Sequence, residues 1–168
     1  MMRPSLLRAA VLALHLAALG VGAASVLALT GCRPATAAEL QDWGTRTYAG
    51  TTTAQALRAS LTALRSLGYD IAATDSASQI KTAPKLVSVT ATGGQYSAQA
   101  VSDSLAWDVD IRPSAQGIVI HAAARGYTAG QAVDATHLNA SYMKKAFETL
   151  FDEIERDLGV VAPPAHGK

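Results

Sequence analysis

The sequence predicts a two-layer α+β domain, an antiparallel curved sheet carrying two helices on one face in the order β-α-β-α, with roughly three to five strands between the helices. Three observations predict it. Leu57, Leu61 and Leu64 recur at helical spacing, and so do Met143, Phe147, Leu150, Ile154 and Leu158 nearer the end of the chain. Between these stripes, residues 105–111 alternate apolar and polar with a period of two. A helix with one apolar stripe and a sheet with one apolar face each need the other.

Taken in order, Thr45, Arg46, Thr47 and Tyr48 read as a short first strand ended by Gly50. Thr52 stands three residues before Gln55, the spacing of a capping box, in which each side chain satisfies a backbone N–H at a helix start. The first helix follows, its stripe extended by Ala54 and Leu67, and Gly68 is placed to end it because the residue past the last turn often needs positive φ. Tyr69, Ile71 and Ala73 then alternate with Asp70, Ala72 and Thr74 as a strand, and Asp75-Ser76-Ala77-Ser78 is turn-like. Ile80–Thr82 and Leu86–Thr92 continue as extended chain, with Pro84 forcing an edge, a bulge or a break between them. Gly93-Gly94 marks a turn, and Gln95–Ser104 fits either strand or loop.

The clearest strand puts Leu105, Trp107, Val109 and Ile111 on one face and Ala106, Asp108, Asp110 and Arg112 on the other. Pro113–Gly117 turns the chain, and Ile118, Ile120, Ala122 and Ala124 form the inner face of its hairpin partner. A Gly-containing loop is expected from Gly126 to about Asp134. The last helix is predicted from about His137 or Asn139 to Leu158, its stripe widened by Tyr142, Ala146 and Phe151 and stopped by Gly159. Lys144 with Glu148, and Asp152 with Arg156, are pairs four apart on its wet side. The folded domain is expected over 43–159, with a frayed tail over 160–168.

The N-terminal segment is read apart from this fold. An apolar run from Ala9 to Leu29, preceded by Arg3 and Arg8, closes on Leu29-Thr30-Gly31-Cys32, which holds the only cysteine. This stretch resembles the lipobox of bacterial lipoproteins. The resemblance implies a signal peptide over 1–31, signal-peptidase cleavage between Gly31 and Cys32, and acyl chains on Cys32 as a membrane anchor. An uncleaved transmembrane helix is the competing reading, since roughly 20 apolar residues can cross a bilayer. His15, Gly20, Gly22 and the basic, apolar, small-residue sequence of an export signal weigh against it. Arg33 follows the cysteine where inner-membrane lipoproteins of this kind carry aspartate, so the resemblance implies the outer membrane. Residues 32–42, small and polar, are expected to form a lipidated tether with a reach of about 15–20 Å.

The element order over Thr45–Leu158 also resembles a single helix-grip lobe of the BamC-like envelope lipoproteins. The residues that carry it are the Leu57-Leu61-Leu64-Gly68-Tyr69 passage from helix to strand and the helix bearing Tyr142, Phe147 and Phe151.

Composition excludes several classes. Of 14 Lys and Arg, Arg3 and Arg8 leave with the signal segment, so the remaining chain is close to balance with its 13 Asp and Glu and has no electrostatic footprint for nucleic acid. With Cys32 consumed by lipid, no thiol remains for a disulfide, a thiolate metal site or a nucleophile. Asp108 and Asp110 share a strand face about 7 Å apart, a spacing compatible with paired-carboxylate hydrolysis but also with a solvated face countered by Arg112. His121, His137 and His166 lack partners at metal-ligand spacing. Ser97, Ser102 and Ser104 lie in no G-x-S-x-G setting, and Gly93-Gly94 precedes no Lys-Ser or Lys-Thr pair. Trp107, Tyr142, Phe147 and Phe151 fit either a core or a ligand groove between sheet and helix.

No catalytic, metal or cofactor-binding residue is therefore expected. The expectation is a non-enzymatic, lipid-anchored envelope protein facing the periplasm, a binding or accessory subunit with an envelope protein partner. The alternative is a carrier of small molecules or lipids in the helix-sheet groove.

Overall fold

Alternation over Leu105–Ile111 and Ile118–Ala124 builds the hairpin at the centre of the sheet, β5 (Gln99–Ser114) and β6 (Gly117–Thr128), paired from Ser114↔Gly117 to Asp103↔Thr128. The computed structural model describes residues 33–75, 78–92 and 99–160. Around the hairpin the chain runs α1 (Ala37–Trp43), β1 (Thr45–Tyr48), α2 (Thr53–Ser66), β2 (Ile71–Asp75), β3 (Gln79–Thr82) and β4 (Lys85–Thr92) before it, then β7 (Gln131–Val133), a 3₁₀ turn (Ala135–His137) and α3 (Ala140–Leu158). The strands form one antiparallel seven-stranded sheet in the order β1-β6-β5-β3-β2, with β4 also on β5 and β7 also on β6. The architecture is α+β, as the patterning predicts.

One long strand carries two short ones end to end. β3 pairs with Asp108–Asp110 and β4 with Gln99–Leu105, and the break between them falls at Ala83-Pro84. Proline has no N–H for a ladder, so of the three outcomes open to Pro84 the chain takes the break. The orphaned Trp107 N–H is recovered by the buried Thr82 hydroxyl oxygen, which accepts it at 2.8 Å.

The inner face of the sheet is where the helices sit. Leu105, Trp107, Val109, Ile111, Ile118, Ile120 and Ala122 are buried there with Ile80, against Leu64 of α2 and Met143, Phe147, Leu150 and Ile154 of α3. Trp107 meets Phe147 edge to face, with ring centroids 5.0 Å apart. The Thr52–Gln55 capping box forms, as do the glycine stops at Gly68 (φ 77°) and Gly159 (φ 69°). α3 starts one residue after its cap, Asn139, whose side chain accepts the Tyr142 N–H at 3.0 Å.

Several expectations are corrected. Residues 33–42 are not a bare tether: Thr36 and Glu39 form a second capping box that starts α1, Ala35 is buried, and Leu40 and Trp43 pack against the core. The domain thus begins at Pro34 rather than Trp43. The buried face of α2 is the small-residue row Ala56, Ala59, Ser60 and Ala63 with Leu64, while Leu57 and Leu61 are half-buried and Ala54 is exposed. Small side chains let α2 lie close to its neighbours, which rotates the leucine stripe off centre. The ambiguous stretch before Leu105 is strand from Gln99 onward. The loop expected over Gly126–Asp134 is instead a tight hairpin, in which Ala129 (φ 50°) and Gly130 (φ 78°) make a two-residue turn from β6 into β7. On α3, Arg156 pairs with Glu153 rather than Asp152, and Tyr142 is exposed. Lys144 and Glu148 do pair, at 3.7 Å. Gly31, Cys32, Ser97, His166 and the turn at Gly93-Gly94 lie outside the described residues.

Tyr48 closes the end of the core near the β5–β6 turn, where its buried hydroxyl donates to Glu155 Oε1 at 3.2 Å. Burial, and then the negative charge of Glu155, push its pKa well above the ordinary 10.0, and burial pushes Tyr69 the same way. Unfolded tyrosines lose their protons near pH 10 while these two keep theirs, so above that pH the unfolded state binds fewer protons. Stability is therefore fully present below about pH 9 and falls as pH rises past about 10, by up to about 1.4 kcal/mol per pH unit for each tyrosine. Urea denaturation between pH 8 and 11 reads this slope, and Tyr48→Phe should make it shallower.

Candidate functional site

Where α3 leaves the sheet edge near β4, a groove of about 320 Å³ opens between them. Its floor is aromatic. Trp107 comes from the inner face of β5, and Tyr69 from the residue after Gly68 that the α2 stop delivers beside it, with ring centroids 6.4 Å apart and planes at 78°. One wall is Lys85, the first residue after the Pro84 break. Its ammonium donates to the Leu67 carbonyl at the end of α2 and stands 5.1 Å above the Tyr69 ring. The other wall is α3, through Tyr142, Lys145, Ala146 and Thr149. Tyr142 also borders a second depression of about 220 Å³, lined by Val87, Ser88, Asp103 and Leu138 among others.

The chemistry of the groove is cationic above and aromatic below. Lys85 and Lys145 are its ionised groups, and among the described residues no carboxylate, histidine or serine lines it. The indole N–H of Trp107 is buried beside the Tyr69 hydroxyl without closing a hydrogen bond of ordinary geometry. Partial burial of its hydroxyl first, and the neighbouring Tyr69 and Asp103 next, raise the pKa of the otherwise exposed Tyr142. This set offers hydrogen-bond donors, two positive charges and ring faces.

A larger open cleft of about 550 Å³ lies at the other end of α3, between Gly50, Gln55, Arg58 and Asp157. Its walls are helix ends and exposed polar side chains, and its outer lip is Val160, the last described residue. The smaller groove has the packed, aromatic floor that a binding site requires.

The polar residues weighed from sequence fall elsewhere. Asp108 and Asp110 sit on the outer face of the sheet. Asp110 pairs with Arg112 as the alternation suggests, but Asp108 lies 2.9 Å from Arg125 Nε, a Coulombic contact whose alignment falls short of a hydrogen bond. His121 is opposite Asp110 in the strand register and its Nδ1 lies 3.1 Å from the Thr45 hydroxyl. Asp108, Asp110 and His121 share a shallow hollow with Lys81. Among the described residues no group of three His, Cys, Asp or Glu side chains is placed to hold a metal ion. His137 is exposed at the end of the 3₁₀ turn, and Ser102 and Ser104 are half-buried on β5. Of the four aromatics considered for a groove, Trp107 and Tyr142 line it, whereas Phe147 and Phe151 are core. Tyr69, Lys85 and Lys145 are not legible as site residues, because only the tertiary fold brings them together. Compared with protein-family models and with curated proteins, the chain matches none.

Proposed function

We propose that this protein is a lipid-anchored, non-enzymatic binding or accessory protein of the bacterial envelope, held by acyl chains on Cys32 at the outer membrane and facing the periplasm. The observation that carries the anchor is Leu29-Thr30-Gly31-Cys32 placed two residues before the folded unit begins at Pro34. No helix among the described residues is long and apolar enough to cross a membrane. The groove of Tyr69, Lys85, Trp107, Tyr142 and Lys145 is the recognition surface in this reading, and its lack of acid–base or nucleophilic groups supports binding over catalysis.

The test is fractionation. Cys32→Ser should move the protein out of the membrane fraction or leave it unprocessed. Each buried methylene contributes about 0.8 kcal/mol, and one acyl chain alone is marginal, so two or three account for stable attachment. Arg33→Asp should shift the protein from outer-membrane to inner-membrane fractions. A Cys32→Ser variant that is still processed and membrane-bound contradicts the proposal.

The open groove, with the Trp107 indole and two lysines on its walls, favours a second reading, a carrier of an apolar molecule bearing an anionic group. Trp43→Phe leaves Trp107 as the one tryptophan to report. A saturable change in its emission on titration with a medium-chain fatty acid, weakened by Lys145→Ala, supports the carrier; an unchanged spectrum supports the protein-binding reading.

A further inference from the structure

We propose that the outer part of the β4–β5 hairpin rests at headgroup level on the same lipid surface that holds Cys32, so that the domain stands on the membrane with its β5–β6 turn pointing away. The inference rests on the lipid-anchored reading above and adds the face that meets the lipid.

The hairpin outgrows the sheet. β6 ends at Thr128, opposite Asp103, whereas β5 and β4 go on pairing through Ser102↔Val89, Val101↔Thr90, Ala100↔Ala91 and Gln99↔Thr92. The Ser102 carbonyl still accepts the Ala129 N–H at 2.8 Å, and from Val101 outward the ribbon is two-stranded, which alone is marginal in water. Natural proteins guard exposed strand edges with charges or proline. Here Leu86–Thr92 and Gln99–Ser102, the described residues of the two strands, contain no Asp, Glu, Lys, Arg, His or Pro. Leu86 and Val89 on β4 are 55% and 61% exposed, the two most exposed large apolar side chains of the described residues. An unguarded, uncharged ribbon is costly to leave in water and cheap to lay on lipid headgroups. Its open edges still carry unpaired backbone groups, which keeps it out of the hydrocarbon.

Lipid is the occupant because of where the chain leaves the domain. Pro34 bridges to Asn139, and the Ala35 N–H donates to the Leu138 carbonyl at 3.2 Å. Leu138 and Asn139 line the depression whose far wall is Val87 and Ser88, at the root of the hairpin. Cys32 precedes Pro34 by two residues, so chain length alone keeps it within about 7 Å of that point. The point where the chain enters the domain, Pro34, and the root of the ribbon therefore lie at the same end of the sheet.

Charge on α3 agrees with this polarity. Lys144 and Lys145 stand toward that end, and Glu148, Asp152, Glu153, Glu155 and Asp157, with Arg156 as the one cation among them, follow toward the other. Glu155 and Asp157 in the last turn oppose the macrodipole while only Arg156 favours it, so helix stability does not account for the order. An anionic lipid surface attracts the lysine end and repels the acidic end.

The test uses the full, acylated protein in phosphatidylethanolamine–phosphatidylglycerol vesicles containing lipids with a nitroxide at the headgroup. An environment-sensitive fluorophore is attached at Val89→Cys or, in a second protein, at Gln116→Cys in the β5–β6 turn. The proposal expects quenching at position 89 to exceed that at 116 severalfold. Vesicle-bound protein with equal quenching at both positions overturns it. Protein that fails to float with vesicles and takes up label at Cys32 itself overturns the anchor and, with it, the proposal. Disulfide-linked dimers through position 89 on vesicles, with no quenching there, overturn it in favour of a second copy as the occupant.

Discussion

Phe147→Ala is expected to lower the unfolding free energy by about 3–5 kcal/mol, a large share of the roughly 5–15 kcal/mol that a domain of this size possesses. Phe147 is 1% exposed and sits at the centre of the inner layer, edge-on to Trp107 and between α3 and the sheet. Removing its ring leaves a cavity that Trp107, itself pinned by the Thr82 hydrogen bond to its backbone, is poorly placed to fill. Leu64→Ala, fully buried on α2, should cost about 2–5 kcal/mol, whereas Leu61→Ala should cost less because Leu61 is only half-buried. Lys145→Ala is the mild control, within about 0.5 kcal/mol. Glu153 does not serve as one, since it accepts from Ser66 at 3.0 Å and pairs with Arg156. Urea denaturation of the unlipidated chain from Arg33 onward measures the series. A Phe147→Ala cost as small as that of Lys145→Ala would mean that α3 does not pack on the sheet.

Gly44→Ala should cost about 3 kcal/mol, at the upper end of what overpacking does. Gly44 joins α1 to β1 so close to β6 that an added Cβ would lie 2.3 Å from the Ala122 carbonyl oxygen, 2.8 Å from that of Leu40 and 3.1 Å from the Phe147 ring. Two of those three neighbours are backbone and cannot rotate away. The Gly44 carbonyl also accepts the Ala122 N–H at 2.8 Å, which ties the junction to the sheet. Were the segment before β1 a loose tether, the same substitution would be neutral or stabilising by about 0.4–1 kcal/mol through the unfolded chain. The sign of the change thus decides whether α1 belongs to the domain.

That correction marks what is legible in the sequence and what is not. Thr36 and Glu39 stand at the same spacing as Thr52 and Gln55, and both pairs form capping boxes. The second is legible because a leucine stripe follows it. The first is obscure because α1 is short and offers only Leu40 and Trp43 as apolar anchors. Alternation makes β5 and β6 plain where one face is buried, and it fades before Leu105, where the ribbon has no third strand to impose an inside and an outside. The β6–β7 turn escapes a reading by composition because Ala129-Gly130 lacks the asparagine or aspartate that usually announces positive φ. In α2, leucine spacing indicates the buried side only approximately, since close helix packing selects alanine and serine.

The groove is less legible than the fold. Trp107 and Tyr142 stand out as aromatic residues on apolar elements, but nothing local distinguishes them from Phe147 and Phe151, which are core. Lys85 and Tyr69 come together because Gly68 ends α2 and Pro84 breaks the strand before β4. Each event is visible in sequence. Their meeting is a property of the tertiary fold.

The anchor at Cys32 is the claim on which location, orientation and function all depend, and the mass of the mature N-terminus tests it most directly. Protein extracted from membranes with detergent and digested should yield an N-terminal peptide that begins at Cys32 and carries diacylglycerol on sulfur, with a further acyl chain on the amino group. A membrane-extracted protein that retains residues 1–31, or whose Cys32 is an unmodified thiol, would contradict the account.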